Sequence, residues 1–150
     1  MSAINVFSRS ALFSAAILAG SVMSTGAASA AVTKAQLAGN WTAALGGNTG
    51  CGSSSMYVQF NLNTGGNGTA TIIMHSTGCA DSTSGGNAIK VTNLQPNGFG
   101  LLNLSCGVGC GWNFRIQVSD DANSMILVDV DPANPNNTPF GTALRRAPTP

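Results

Sequence analysis

The sequence predicts an all-β protein, an eight-stranded antiparallel up-and-down barrel, from three observations. Apolar and polar residues alternate with a period of two, turns rich in glycine and asparagine separate the apolar runs, and helix-forming residues are scarce. The 150 residues include 19 glycines and no glutamate, and 43% are hydrophobic, which is enough to bury a core. A two-sheet β-sandwich is the alternative arrangement of the same strands.

Alternation is clearest in two of the predicted strands. In residues 56–62, Met56, Val58 and Phe60 share one face and polar residues take the other. Residues 112–118 repeat this pattern, which is typical of a sheet with one face in water. The predicted strands are 41–45, 56–62, 69–75, 88–94, 99–105, 112–118, 125–131 and 142–146.

The connections between these strands favour hairpins. The segments 63–68, 95–98 and 119–124 contain glycine or asparagine, which tolerate positive φ, and are too short for a crossover helix. Before the first strand, residues 33–38 predict a single helical turn capped by Thr33. Closure of the eight strands into a barrel would remove every exposed sheet edge.

The first thirty residues are typical of a secretory signal peptide. Arg9 precedes an apolar run over 11–20, and small residues at 28 and 30 match a signal-peptidase site, so we expect cleavage after Ala30. The apolar run is shorter than the roughly 20 residues that span a bilayer. We therefore expect one domain over 31–150, no membrane span, and a secreted or periplasmic location.

The cysteines form an even set in a chain expected to reach an oxidising compartment, which predicts two disulfides. The short spacing favours a Cys106–Cys110 bridge within one hairpin, leaving Cys51 with Cys79. The two crossed pairings stay open, because sequence alone does not fix connectivity. The spacing lacks the pattern of a zinc site, and we expect no metal and no cofactor.

In an up-and-down barrel the first, third, fifth and seventh loops lie at one end, and these loops hold all four cysteines and a proline-rich segment, 132–139. That end is the predicted binding surface. Whether the interior behind it is hollow or filled by side chains stays open. The candidate binding residues in and beside these loops are Asn48, Ser54, Asp81, Val108, Asn134 and Asn136.

The start of the mature chain resembles that of the lipocalin-like (calycin) barrels. Gly39-Asn40-Trp41 matches their G-x-W motif at the opening of the first strand, and Arg145 or Arg146 stands on the last strand. The resemblance implies an eight-stranded barrel with a ligand pocket at its open end. It also implies that Trp41 and Arg145 close the opposite end.

A second resemblance is to the secreted metalloprotease inhibitors of bacteria. Residues 35–41, followed by Cys51 and Cys79, are similar to the opening of those periplasmic barrels. The resemblance implies that residues 31–34 would enter a protease cleft. Cys106 and Cys110 are additional to that pattern.

Catalytic signatures are weak. His75 is the only histidine, and its place near a strand end favours an outward-facing side chain over a hydrolase triad. Asp129 and Asp131 share a strand face, and a solvated strand end is favoured over paired catalytic acids or calcium ligands. Only 7% of the residues are charged and the net charge is +1, which argues against binding to nucleic acid.

These observations predict a monomeric, non-enzymatic barrel that binds a small apolar ligand or an extracellular protein at its cysteine-rich end. Two alternatives are a structural or adhesive surface subunit and a periplasmic metalloprotease inhibitor. A subunit that polymerises by strand addition needs an open sheet edge, and a closed barrel has none.

Overall fold

A computed structural model describes residues 31–107, 110–132 and 135–147. It confirms the predicted fold class: eight antiparallel strands in sequence order form a closed barrel, in which β1 pairs with both β2 and β8. A 3₁₀ turn, Ala35–Leu37, precedes the barrel. The strands are β1 Gly39–Asn48, β2 Ser53–Leu62, β3 Asn67–Ser76, β4 Ser82–Thr92, β5 Phe99–Gly107, β6 Cys110–Val118, β7 Ser124–Asp129 and β8 Phe140–Arg145.

Each predicted run overlaps one of these strands, and the largest difference in the boundaries is in β4. It begins six positions earlier than predicted, because the polar segment 82–87 pairs with β3 across a register shift between Ala70 and Ile72. Gly86 has a φ of +71° in that irregular stretch. A polar, glycine-containing strand of this kind has no alternation by which the sequence could reveal it.

The barrel interior is filled by side chains. Alternate residues of the strands face inward, as the two-residue period predicts, and Trp41, Phe114 and Ile116 have no accessible surface at all. Side chains that line a cavity large enough for water would keep some accessible surface. The buried apolar core includes Leu45, Met56, Val58, Phe60, Leu62, Ile72, Ile89, Val91, Leu102, Leu104, Trp112, Val118, Met125, Leu127 and Ala143.

The N-terminal segment and the even-numbered turns cover one end of the barrel, which we call the closed end (residues 31–38, 63–66, 93–98 and 119–123). The Trp41 indole stacks on Phe60 with ring centroids 6.1 Å apart. Its Nε1–H donates to the Leu37 carbonyl at 2.9 Å. The Arg145 guanidinium donates to the carbonyls of Gln36 (3.0 Å) and Ala38, so it fastens the 3₁₀ turn to β8.

The strand ends that the odd-numbered connections join lie together at the opposite end, as the up-and-down order requires. We call this the disulfide end, and its described residues are 49–52, 77–81, Gly107 and Cys110, 130–132 and 135–139. Val108 and Asn134 of the predicted binding set lie outside the described residues, and so does the whole proposed signal segment, residues 1–30.

Candidate functional site

Two disulfides fasten the loops of the disulfide end. Cys51–Cys79 joins the first loop to the third, and Cys106–Cys110 closes the β5–β6 hairpin on itself. This is the favoured pairing, and the two crossed pairings are wrong. Backbone bonds reinforce the first bridge, because Gly78 N–H donates to the Cys51 carbonyl at 2.8 Å and Thr77 N–H donates to the Ser53 carbonyl at 3.0 Å.

The seventh loop is held against the first. Thr138 N–H donates to the Asn48 carbonyl at 2.7 Å, and the Asn48 N–H donates to the Thr138 hydroxyl at 3.4 Å. Gly47 makes this approach possible: its φ is +137°, and a Cβ there would lie 2.2 Å from the Thr138 carbonyl oxygen. Three of the four odd-numbered loops are thereby tied to one another.

The predicted binding residues that the structure describes do not all face solvent. The Asn48 side chain accepts the Gly50 N–H at 2.9 Å, so it supports its own loop. Ser54 is half-buried, with its hydroxyl 2.7 Å from that of Thr49. Asn48, Asp81 and Asn136 are exposed at the surface.

His75 and Asp81 form an exposed pair at the side of this end. The His75 Nδ1 and the Asp81 Oδ1 are 2.5 Å apart, and the two side chains are 72% and 67% exposed. The outward orientation expected for His75 is the one that the structure has. The pair joins the end of β3 to the loop that follows it.

Near this end, Trp112 and Asp129 each have a buried polar atom, and the sequence did not predict this burial. Both face inward on neighbouring strands, and Asp129 lies opposite Phe114, two residues beyond Trp112. The indole Nε1 of Trp112 and the Oδ2 of Asp129 are buried, and neither has a hydrogen-bond partner among the described residues. Burial raises the pKa of the Asp129 carboxyl above its ordinary value.

Asp129 therefore differs from the solvated strand end expected for it. Asp131 lies beyond the end of β7, which stops at Asp129. Alternation indicates which side chains face inward, but it does not show whether an inward indole or carboxyl finds a partner. Within the described residues, no group of three histidine, cysteine or acidic side chains is placed to hold a metal ion.

The segment that the inhibitor resemblance assigns to a protease cleft is packed on the closed end. Val32 is 4% exposed, and its N–H donates to the Pro96 carbonyl at 2.9 Å. Thr33 and Gln36 bond to each other, because the Thr33 N–H donates to the Gln36 Oε1 at 2.7 Å and the Gln36 N–H donates to the Thr33 hydroxyl at 3.4 Å. Residues 32–37 are thus packed as part of the closed end of the barrel.

Comparison with known protein families and with curated proteins finds no match to this chain. The architecture is compatible with a lipocalin-like barrel, and a fold alone does not fix a function. Helices in the described part of the chain include none that is long and apolar enough to cross a bilayer.

Proposed function

We propose that this is a secreted or periplasmic, non-enzymatic barrel that binds a protein partner through its disulfide end. The observation that carries the proposal is the linkage of the odd-numbered loops by one inter-loop disulfide and by cross-loop backbone bonds, above a filled barrel. Loops that are ordered before binding lose less entropy when a partner docks, so a surface of this kind favours affinity.

The chemistry of these loops suits contact with a protein surface. In residues 48–52 and 77–81, six of the ten residues are glycine, threonine or asparagine, and Asp81 is the only charged residue. Such residues supply adaptable hydrogen bonds, as they do in antibody loops. The filled interior favours a partner outside the barrel over a small apolar ligand inside it. Two disulfides support a non-cytoplasmic location.

Neither alternative function has a specific observation in its favour. Assembly by strand addition needs a free edge, and β1 and β8 pair with each other. The inhibitor mechanism needs a free N-terminal segment, and Val32 is buried.

The proposal is tested by capture from the extracellular fraction of the source cells with three immobilised proteins. Asn136→Arg places a bulky charge on the disulfide end, and Thr64→Arg places the same charge on an exposed turn of the closed end. We expect the parent protein and Thr64→Arg to retain one common protein, and Asn136→Arg to retain at least about tenfold less of it. Equal capture by all three, or loss with Thr64→Arg alone, would contradict the proposal.

A further inference from the structure

The outer face of β5 to β8, together with Val130 just beyond β7, carries an apolar surface that is not part of the core. Among the described residues, most of the large apolar side chains that remain more than a third exposed lie here. Pairing makes them contiguous, because Val128 lies opposite Phe140, and Ile126 lies opposite Thr142 beside it. A contiguous apolar patch of this kind marks an interaction site more often than scattered apolar residues do. Its members are Phe99, Ile126, Val128, Val130, Phe140 and Leu144.

Two adjoining grooves open on this face and share Phe99 and Arg115. The first, of about 260 Å³, is mainly apolar, with Ile126, Val128 and Val130 in its lining. The second, of about 450 Å³, is lined by amide side chains, Asn93 and Gln95, together with Leu101. The shared pair thus stands at the junction of an apolar groove and an amide-lined one.

Arg115 is a cation with an apolar residue opposite it on each neighbouring strand. Its cross-strand neighbours are Leu101 on β5 and Val128 on β7, and it makes no salt bridge within the described part of the chain. The residues that line the two grooves include no acid. An isolated guanidinium flanked by apolar side chains favours a carboxylate, which it can bind through two parallel hydrogen bonds.

We propose that this face binds the C-terminal residue of a peptide that ends in an apolar side chain. The α-carbon of such a residue bears a carboxylate, a side chain and an amide nitrogen. The carboxylate would contact Arg115, the side chain would enter the apolar groove, and the preceding peptide group would reach Asn93 and Gln95. A hydrocarbon carboxylate would leave the amide-lined groove unused. A two-fold dimer centred on this face would bring two Arg115 side chains together without an acid between them.

This site shares only Val130 with the disulfide end, and two peptides that differ only in the terminal carboxylate test it. The oxidised protein is titrated with N-acetyl-alanyl-leucine and with its C-terminal amide, with binding followed by ¹H–¹⁵N NMR. We expect shifts at the amides of residues 115, 126 and 128, and about tenfold weaker binding of the amide, because it lacks the charge-assisted bonds to Arg115. Arg115→Gln should weaken binding of the free acid by a similar factor and leave binding of the amide unchanged. The matched control is Lys90→Gln, which removes an exposed cation of β4. It should change binding of neither peptide.

Several outcomes would overturn the assignment. Equal binding of the acid and the amide would show that Arg115 does not contact the carboxylate. An Arg115→Gln protein that binds the acid as well as the parent protein does would show the same. Decanoate binding as tightly as the peptide would identify a lipid-like ligand instead. Self-association that Val128→Asn abolishes would identify a second copy as the occupant. Lack of binding by all probes at millimolar concentration would reject the site.

Discussion

At the scale of single residues, the two tryptophans form a natural comparison. Both are buried in the core, but the Trp41 Nε1–H donates to the Leu37 carbonyl, whereas the Trp112 Nε1–H has no partner in the described part of the chain. We expect Trp41→Phe to destabilise the protein by about 1–3 kcal/mol more than Trp112→Phe, because only the first leaves a buried carbonyl unpaired. Urea denaturation of both variants measures the difference. Equal losses of unfolding free energy would mean that the hydrogen bond from Trp41 to the Leu37 carbonyl contributes nothing to stability.

Two aspartates should give pH dependences of opposite sign. Burial raises the pKa of Asp129, so its contribution to stability is fully present below the ordinary value and is lost as pH rises through the folded-state value. Asp121 accepts hydrogen bonds from the Ser119 hydroxyl and from the N–H groups of Asn123, and these bonds lower its pKa. Its contribution is present at neutral pH and is lost as pH falls through the lowered value.

Neutral variants of both aspartates isolate these contributions. At pH 7, Asp129→Asn should be more stable than the parent protein, because a charged group no longer has to be desolvated, and Asp121→Asn should be less stable. The difference for Asp129→Asn should shrink as the pH falls through the raised pKa of that carboxyl, and the difference for Asp121→Asn should shrink only as the pH falls further, through its lowered pKa. Thermal unfolding between pH 2 and 7 measures them. A parent advantage over Asp129→Asn at pH 7 would show that the carboxylate has a partner in solution.

At the scale of elements, the two disulfides should contribute unequally. Cys51–Cys79 closes a separation of 28 residues and Cys106–Cys110 a separation of 4. Loop-closure entropy predicts a loss of ~3.5 kcal/mol for Cys51→Ala with Cys79→Ala, and ~2 kcal/mol for Cys106→Ala with Cys110→Ala. Chemical denaturation of the two double variants checks the order, and a larger loss for the short loop would contradict it.

The N-terminal segment should behave as part of the barrel. Deletion of residues 31–36 removes the buried Val32 and the Gln36 carbonyl that Arg145 contacts. Burial of one valine side chain alone is worth about 1.5–3 kcal/mol, so we expect a loss of at least that size. The melting temperature measures it, with Thr33→Ala as a milder control that removes only the Thr33 hydroxyl bonds to Gln36. An unchanged melting temperature would mean that the segment is free, as the inhibitor mechanism requires.

The strands show which elements can be predicted from the alternation of apolar and polar residues alone. Residues 56–62 and 112–118 alternate cleanly, and both lie in the strands predicted for them. The start of β4 could not be predicted, because residues 82–87 are polar and contain two glycines, so their pairing depends on the neighbouring strand. The grooves beside Arg115 were missed for a related reason. They depend on which outward side chains lie side by side across four strands, and a linear pattern does not contain that register.

At the scale of the whole molecule, the closed topology follows from the order of the loops. Hairpin connections force sequential antiparallel pairing, and they bring all the cysteine loops to one end, as the sequence predicts. Whether the barrel is filled or hollow could not be predicted, because both cases have the same alternation. Whether the interior is filled depends on side-chain volume, and here four large aromatic side chains are buried in it: Trp41, Phe60, Trp112 and Phe114.

A filled interior predicts the mass of the intact particle. Native mass spectrometry of the protein from its own extracellular fraction, without detergent, should give one monomer. Its mass should equal that of residues 31–150 less four hydrogens, because we propose that residues 1–30 are removed on secretion, and two disulfides form. The core leaves no room for a retained ligand, so denaturation should leave the mass unchanged. Extra mass that survives gentle transfer and is lost on denaturation would show that the barrel opens around a ligand. A mass that still includes residues 1–30 would contradict the proposed secretion instead.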